Sequence, residues 1–283
     1  MNRWRFLLAP RWAGYLALVV VFAIACSALG TWQLNRRAEA LAEVARIDAN
    51  YDAEPIAVGE ALPTLDAFDV DQRWQVVEAR GEYLPDDEVV VRNRPLQGST
   101  GFEVITPFRL ESGEVFMVDR GWIPQDSDGR PGEVPAPPAG EVELTARLKA
   151  GEGRIEGRTS TGREFATIDL EELAARVGEP SYTGAYGILV QTGDDARQPP
   201  LAQPRPERDE GPHLSYALQW FVFALLAFIG LAWAANQERK AHEEASERGE
   251  APAPKSGGRP PKRAPKPRKD ADADVEDALL DRR

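Results

Sequence analysis

Two long stretches without charged side chains dominate the pattern of hydrophobic and polar positions along the chain. Residues 12–35 and residues 212–237 contain no Asp, Glu, Lys or Arg. A helix needs roughly 20 consecutive apolar residues to cross a hydrocarbon core ~30 Å thick. The pattern therefore predicts a membrane protein with two transmembrane helices, over residues 13–35 and 213–236.

Between the two apolar stretches the pattern changes to a period of two. Short runs rich in Val, Ile and Phe alternate with Gly, Pro, Asp or Asn, which is typical of strands and turns. In the run 101–110 the apolar side chains share one parity, while Glu103 and Arg109 take the other, so we predict a half-buried strand. The predicted strands are residues 75–84, 88–93, 101–110, 114–123, 141–150 and 186–192.

The remaining pattern predicts one short helix within a β-rich domain. The segment "LEELAARV" follows Asp169, a preferred helix N-cap, and ends before Gly178. Six or seven mostly antiparallel strands with one helix predict a barrel or a sandwich. The expected fold class is thus α+β, with two transmembrane helices flanking a β domain that occupies residues 36–212 together with its connecting arms.

Charge predicts how the chain is oriented in the membrane. Basic residues precede the first span and follow the second, as at Arg11 and Arg239. The positive-inside bias then places both termini in the cytoplasm and the β domain outside the plasma membrane. Residues 1–12 form the predicted cytoplasmic N-terminus. Residues 237–283 are poor in apolar side chains and are predicted to be a disordered, charged cytoplasmic tail.

Composition excludes several classes of function. Residues 38–212 carry 35 acidic and 17 basic side chains, a net charge of −18 that disfavours nucleic-acid binding. The single cysteine, Cys26, permits neither an intramolecular disulfide nor a thiolate metal site. Cys26 also follows a small-residue stretch typical of a cleaved signal, but the apolar run continues past it, which favours an uncleaved anchor.

Motifs for catalysis are missing from the sequence. There is no phosphate-binding loop, no H-E-x-x-H and no G-x-S-x-G motif. The predicted outer domain has no cysteine and no histidine before His213, which removes the commonest nucleophile–base pairs. We therefore predict that the chain is not an enzyme, with an extracytoplasmic enzyme as the disfavoured alternative.

One candidate site lies at the ends of predicted strands, beside Gly and Pro. Its arginines suit the clamping of a carboxylate or the contact with a partner protein. The alternative is structural, with Asp119 and Arg120 paired to lock a hairpin and Trp122 packed over them. The residues of this candidate partner-binding site are Arg92, Arg94, Asp119, Arg120 and Trp122.

A second candidate site lies where the second span begins. His213, Tyr216 and Trp220 are spaced to share one helix face. The two-span topology brings the end of the first span, near Trp32 and Gln33, to the same level.

An imidazole with aromatic walls and nearby cations suits a haem, with nitrogen on the iron and guanidinium groups near the propionates. The alternative is an ordinary interfacial belt of Trp and Tyr with a hydrated histidine. The residues of this candidate haem site are His213, Tyr216, Trp220, Trp32, Arg36 and Arg37.

Four stretches of the chain resemble the surfeit locus protein 1 family of cytochrome c oxidase assembly factors. They are "LGTWQLNRR", "VVVRNRPLQGSTGFEVITPFRL", "VFMVDRGWIP" and "HLSYALQWFVFAL", and the resemblance covers roughly residues 13–236. It implies a factor needed for maturation of the haem-copper terminal oxidase that delivers haem a to the main oxidase subunit. In bacterial members the histidine before the second span is associated with haem binding, and His213 matches it.

The resemblance also implies partners and cofactor. We expect contact with oxidase subunits, haem a synthesis enzymes and membrane lipid, transient binding of haem a, and no metal beyond the haem iron. The alternative within the same family is a scaffold that holds oxidase subunits through the "RNRPLQG" and "DRGW" surfaces and binds no haem.

Overall fold

The computed structural model describes residues 4–191 and 198–247, which form four helices and eight strands. The helices are α1 (Pro10–Asn50), α2 (Val58–Ala61), α3 (Leu170–Val177) and α4 (His213–Glu247). The strands are β1 (Ile56–Ala57), β2 (Val76–Tyr83), β3 (Val89–Leu96), β4 (Ser99–Leu110), β5 (Val115–Pro124), β6 (Glu141–Ala150), β7 (Glu164–Phe165) and β8 (Ala185–Leu189). Both α1 and α4 contain a stretch long and apolar enough to cross a membrane.

The strands form one sheet that closes into a barrel. The order is β1-β2-β6-β8-β5-β4-β3-β7, and β2 pairs with β4 as well as with β6. Gly81 makes this double pairing possible, since a Cβ there would lie 1.9 Å from the carbonyl oxygen of Arg109. The predicted α+β fold, with two apolar helices flanking a mostly antiparallel β domain and one short helix, is confirmed, and the domain is a barrel.

Two apolar cores lie on either side of the barrel wall. The inner core includes Phe108, Phe116 and Leu148, as expected for a small barrel filled by its own side chains. The second core lies between the outer face of the wall and the elements that cover it, with Ile47 from α1 and Leu173 from α3. Strands β4 and β5 are therefore buried on both faces, whereas β2 and β6 keep one partly exposed face.

Strand β4 differs from its prediction for this reason. The register of β4 against β5 shifts between Val104 and Ile105 because Arg120 is an extra, bulged residue on β5, whereas the alternation along β4 is uninterrupted. Both Ile105 and Glu103 are buried, at 0% and 8% exposure. The prediction of a half-buried strand is thus wrong, because α1 and α3 cover the face that the alternation assigned to solvent.

Helix α1 continues past its apolar stretch and docks on the barrel. The Trp74 indole donates a hydrogen bond to Glu43, and the Asn50 amide donates to the carbonyl groups of Asp71 and Arg73. Helix α1 therefore runs well past Arg37 and ends at Asn50.

The N-terminal part of α1, up to Ile24, and the C-terminal part of α4, from Phe223, belong to a compact unit of their own. Within its described residues, Arg11 pairs with Glu238, and the ring of Phe6 lies 5.6 Å from those of Trp12 and His242. Helix α4 continues to Glu247, so the first part of the stretch predicted as a disordered tail is helical. The helix continues past the end of the apolar run because charged residues such as Glu238 and Arg239 are good helix formers. Residues 248–283 lie outside the described residues.

Candidate functional site

The barrel-proximal parts of α1 and α4 run antiparallel and pack against each other. The His213 ring is hydrogen-bonded to Gln33, and the Phe221 ring covers Gly30, where an added Cβ would lie 2.8 Å from the ring. Cys26 and Ala217, at 1% and 0% exposure, are buried along the same seam. The sequence-based expectation that His213 meets the end of the first span therefore agrees with the geometry.

The imidazole of His213 is held through one nitrogen. Its Nδ1 lies 2.8 Å from the side-chain oxygen of Gln33, so Nδ1–H donates and Nε2 keeps its lone pair. Among the described residues no hydrogen-bond partner of Nε2 is recorded. A second hydrogen bond of this kind is what fixes the tautomer and ring orientation of a metal-ligating histidine.

The Nε2 edge of the ring faces a glycine. A Cβ at Gly211 would lie 3.2 Å from both Nε2 and Cδ2 of His213. Gly211 also has a φ of +68°, a backbone conformation that glycine adopts at little cost. Glycine at position 211 thus avoids a tight side-chain contact with the Nε2 edge of His213.

The predicted aromatic walls share one side of the helix pair. Because successive helical residues are 100° apart, Tyr216 and Trp220 lie on the side of α4 turned away from Phe221. The same rotation on the antiparallel α1 carries Trp32 to that side. Tyr216 and Trp32 are 48% and 54% exposed, so their rings stand clear of the packed seam.

The two predicted propionate partners are already paired with carboxylates. Arg37 pairs with Glu210 at 2.8 Å, and Arg36 pairs with Glu39 at 2.8 Å. Both pairs are solvent-accessible, and such pairs contribute only about 0–1 kcal/mol. Either guanidinium can therefore exchange its partner for another anion at small cost.

The segment that leads into α4, residues 198–212, runs back along the α1 extension, and we call it the return arm. Three ion pairs of 2.8 Å join the two segments in order: Arg205 with Asp52, Arg208 with Asp48, and Glu210 with Arg37. The His213–Gln33 hydrogen bond continues this ladder. The position of His213 is thus set by a register of contacts along one face of α1.

The candidate partner-binding site is mostly buried. Arg120, 6% exposed, donates to Glu88 at 2.8 Å and to the carbonyl oxygen of Pro135 at 2.9 Å. Glu88 also accepts from Thr106 at 2.7 Å. Asp119 is fully buried and does not pair with Arg120, because neighbouring residues in a strand point to opposite faces. The predicted Asp119–Arg120 pair is therefore wrong.

The other residues of that site also bind within the domain. Trp122, 7% exposed, donates from its indole nitrogen to the carbonyl oxygen of Arg94 at 2.8 Å. The Arg94 guanidinium pairs with Glu152 and Glu103, and Arg92 donates to the carbonyl oxygen of Thr159. Asp119, Arg120 and Trp122 are thus buried and hydrogen-bonded within the domain, and their assignment to a partner-binding site stays a prediction.

Sequence reasoning missed a buried polar contact between the return arm and the barrel. The amide nitrogen of Gln203 donates to Glu103 at 2.6 Å and to Asp119 at 2.8 Å. Burial raises the pKa of Glu103, and burial together with the Glu103 charge raises the pKa of Asp119 well above its usual range. The one local signal is a glutamate within the apolar run "FEVI"; nothing local connects it to residue 203.

The comparisons with known proteins bear on the whole of this architecture. The model of the SURF1 family matches residues 20–225. An uncharacterised SURF1-like protein of Mycobacterium bovis is 33% identical over 253 residues, covering 85% of this chain and 89% of the relative.

More distant organisms contain similar proteins. A SURF1-like protein of Monosiga brevicollis is 30% identical over 240 residues, covering 76% of this chain and 83% of the relative. One of Drosophila melanogaster is 26% identical over 230 residues, covering 72% and 71% of the two chains. The family match spans both outer helix ends and the barrel between them, and the chain belongs to the SURF1 family.

Proposed function

We propose that this protein assists maturation of a haem-copper terminal oxidase by holding haem a briefly at the outer end of the helix pair and passing it on. Membership of the SURF1 family supports a role in oxidase assembly in general. The observation that carries the finer proposal is the His213–Gln33 hydrogen bond, which orients the ring and leaves Nε2 as an available ligand.

Each residue of the junction has a defined part in this proposal. His213 ligates the iron, while Gln33 fixes its tautomer and Gly211 keeps its edge open. Trp32, Tyr216 and Trp220 supply the apolar walls against the macrocycle. Arg36 and Arg37 neutralise the propionates after exchanging their carboxylate partners. Haem a is the cargo, and its iron accepts the axial nitrogen.

The exposed setting of the site suits transfer better than storage. Only one imidazole is offered within the junction, and the aromatic side chains beside it remain accessible. A single axial ligand at an open surface permits a second protein to take the cargo by ligand exchange. We propose no catalysed reaction. In the orientation that the positive-inside bias favours, the barrel lies outside the plasma membrane and both termini lie in the cytoplasm.

The experiment purifies the full-length protein from cells that produce haem a. We expect a Soret band that His213→Ala abolishes. His242→Ala is the matched control, because it removes the other histidine of the chain and should leave the band unchanged. A Soret band of equal intensity in His213→Ala would refute the ligand assignment.

The scaffold function is the second candidate, and one observation still favours it. Although "DRGW" is buried, the turn of the "RNRPLQG" hairpin is exposed over residues 97–100. A colourless protein that captures oxidase subunits, and loses them when this turn is replaced by Gly and Ser, would support the scaffold and exclude haem delivery.

A further inference from the structure

Six ionisable side chains meet where the return arm enters the barrel. Glu103 and Asp119 come from neighbouring strands β4 and β5 and share the Gln203 amide. Arg94 from β3 pairs with Glu103 at 3.0 Å and with Glu152. Lys149 from β6 lies over the Tyr186 ring, with its nitrogen 5.9 Å from the ring centre. Five strands (β3, β4, β5, β6 and β8), the segment after β6 and the return arm thus converge on one polar centre.

The charges of this centre do not balance when every group is ionised. It contains three carboxyl groups, on Glu103, Asp119 and Glu152, against the two cations of Arg94 and Lys149. An uncompensated buried charge is costly, so one carboxyl group keeps its proton. Asp119 is the most deeply buried of the three, and the pKa values of Asp119 and Glu103 are both raised. By contrast, although burial opposes its ionisation, hydrogen bonding to Arg94 lowers the pKa of Glu152.

An unsatisfied hydroxyl group marks the same centre. The Tyr186 hydroxyl is fully buried and has no hydrogen-bond partner among the described residues. Burial and then the charges of Asp119 and Glu103 raise its pKa well above the usual range, so the phenol stays neutral. A neutral hydroxyl can donate or accept a hydrogen bond without adding charge to the centre.

Burial raises the pKa of Glu103 while the Gln203 hydrogen bond lowers it, so the amide suits a carboxyl pair that carries one negative charge and one proton. Its two N–H bonds are directed to one oxygen of each residue, and the second oxygen of Asp119 accepts from the Gly121 backbone at 2.9 Å. A full negative charge on both carboxyl groups introduces repulsion across the amide and draws water into the site. The contact is therefore strongest while the pair retains one proton.

We propose that Glu103, Asp119 and Gln203 form a proton-dependent latch that fixes the return arm and so positions His213. The inference deepens the proposed function and depends on it for its biological meaning. Gln203 is a positioning residue, since it acts on His213 only through the arm. The ion pairs further along the arm are exposed and individually weak, so the buried latch is its firmest side-chain attachment.

The direction of the pH effect follows from the raised pKa values. Groups protonated more readily in the folded chain contribute stability that is fully present below the ordinary carboxyl pKa. That contribution is lost as the pH rises toward the raised pKa values of the pair. The latch is thus closed in mildly acidic surroundings and loosens under alkaline conditions.

Spin labels at two exposed positions test the latch without haem. In full-length protein carrying Cys26→Ala, cysteines replace Ala49 on α1 and Glu207 on the return arm, both exposed. Their distance distribution is measured by pulsed electron paramagnetic resonance. We expect one narrow distance at pH 5 that broadens toward pH 9, and Gln203→Leu should be broad throughout. Glu103→Gln should stay narrow throughout, because Asp119 then ionises without a like charge beside it.

Matched controls separate the latch from a general loss of packing. Gln198→Leu and Glu60→Gln make the same chemical changes at exposed positions and should behave as the parent protein does. Gln203→Asn, which keeps the amide but shortens its reach, should broaden the distances if Gln203→Leu does not fold. A parent distribution identical at pH 5 and pH 9, a narrow distribution in Gln203→Leu, or a pH response in Glu103→Gln would overturn the proposal. Haem binding with an unresponsive arm would refute the latch alone, and a responsive arm without haem binding would refute haem delivery alone.

Discussion

Two regions of this chain contain equally conspicuous sequence motifs but differ in how completely their polar groups are satisfied. At the end of β5, Arg120 and Trp122 are buried and hydrogen-bonded within the domain. At the helix junction, His213 is half-buried and bonded through one nitrogen only. The difference teaches that a motif of bulky polar residues marks a binding site only where the fold leaves bonding capacity unused. The polar groups of the first region are satisfied within the domain, and the proposed haem site rests on the unused bonding capacity of the second.

The largest expected effect is on the structural side of this comparison. Arg120→Ala removes the buried cation of Glu88 and leaves only the exposed Arg163 at 3.8 Å, which costs about 3–5 kcal/mol of unfolding free energy. Urea unfolding of the full-length protein in detergent measures this loss. Arg80→Ala is the control, because the Arg80–Glu143 pair is exposed and its loss should cost below about 1 kcal/mol. Equal effects from the two substitutions would remove the structural assignment of Arg120.

On the ligand side, Gln33→Leu should weaken haem binding without unfolding the chain. The substitution removes the hydrogen bond that orients the His213 ring, and such second bonds contribute roughly 10–100-fold to metal affinity. Haem titration followed at the Soret band measures the affinity. Gln33→Glu keeps an acceptor at this place and should retain most of it. Unchanged affinity in Gln33→Leu would mean that the bond does not serve the ligand.

A smaller effect is expected from Gly211→Ala. The added Cβ approaches the Nε2 edge of His213, and the positive φ costs about 1–2 kcal/mol for a residue with a side chain. We expect reduced haem affinity together with a modest drop in thermal stability. Gly129→Ala, at a similar φ of +76° but in open space, supplies the strain without the contact. Loss of haem affinity in both variants would show that backbone strain, and not the contact with His213, causes the effect.

The smallest effect should come from Arg36→Ala. Its pair with Glu39 is exposed and contributes a few tenths of a kcal/mol, so stability should be unchanged. Haem affinity should fall slightly. The loss should be larger at low salt than at high salt, because ions screen a surface charge. Arg46→Ala, which removes an arginine paired away from the junction, should leave haem binding unaffected. A salt-independent loss in Arg36→Ala would contradict propionate contact.

Local patterns predicted the elements well because each is encoded by its own residues. The β2 to β6 runs, the capped helix after Asp169 and the helical continuation of α1 all follow from period and propensity. Contacts between residues far apart in the sequence could not be predicted from local patterns. The cover that α1 and α3 provide buries the outer face of β4 as well, and alternation along one strand carries no information about such a cover.

The candidate site shows the same division. That His213 lies near Gln33 follows from two antiparallel spans of similar length, although 180 positions separate them in sequence. The partner of Arg120 is Glu88 rather than its neighbour Asp119, as strand geometry requires. Gln203 gave no signal, because a glutamine in a proline-rich segment acquires its role only when the arm meets the barrel.

Replacement of the histidine by a diffusible ligand tests most directly that His213 offers its Nε2 to haem iron. In His213→Gly the account predicts that the Soret band is lost and returns in a saturable manner when free imidazole is added to haem and protein. A band that persists in His213→Gly without imidazole would show that the iron is held elsewhere, and the helix junction would then lose its proposed function.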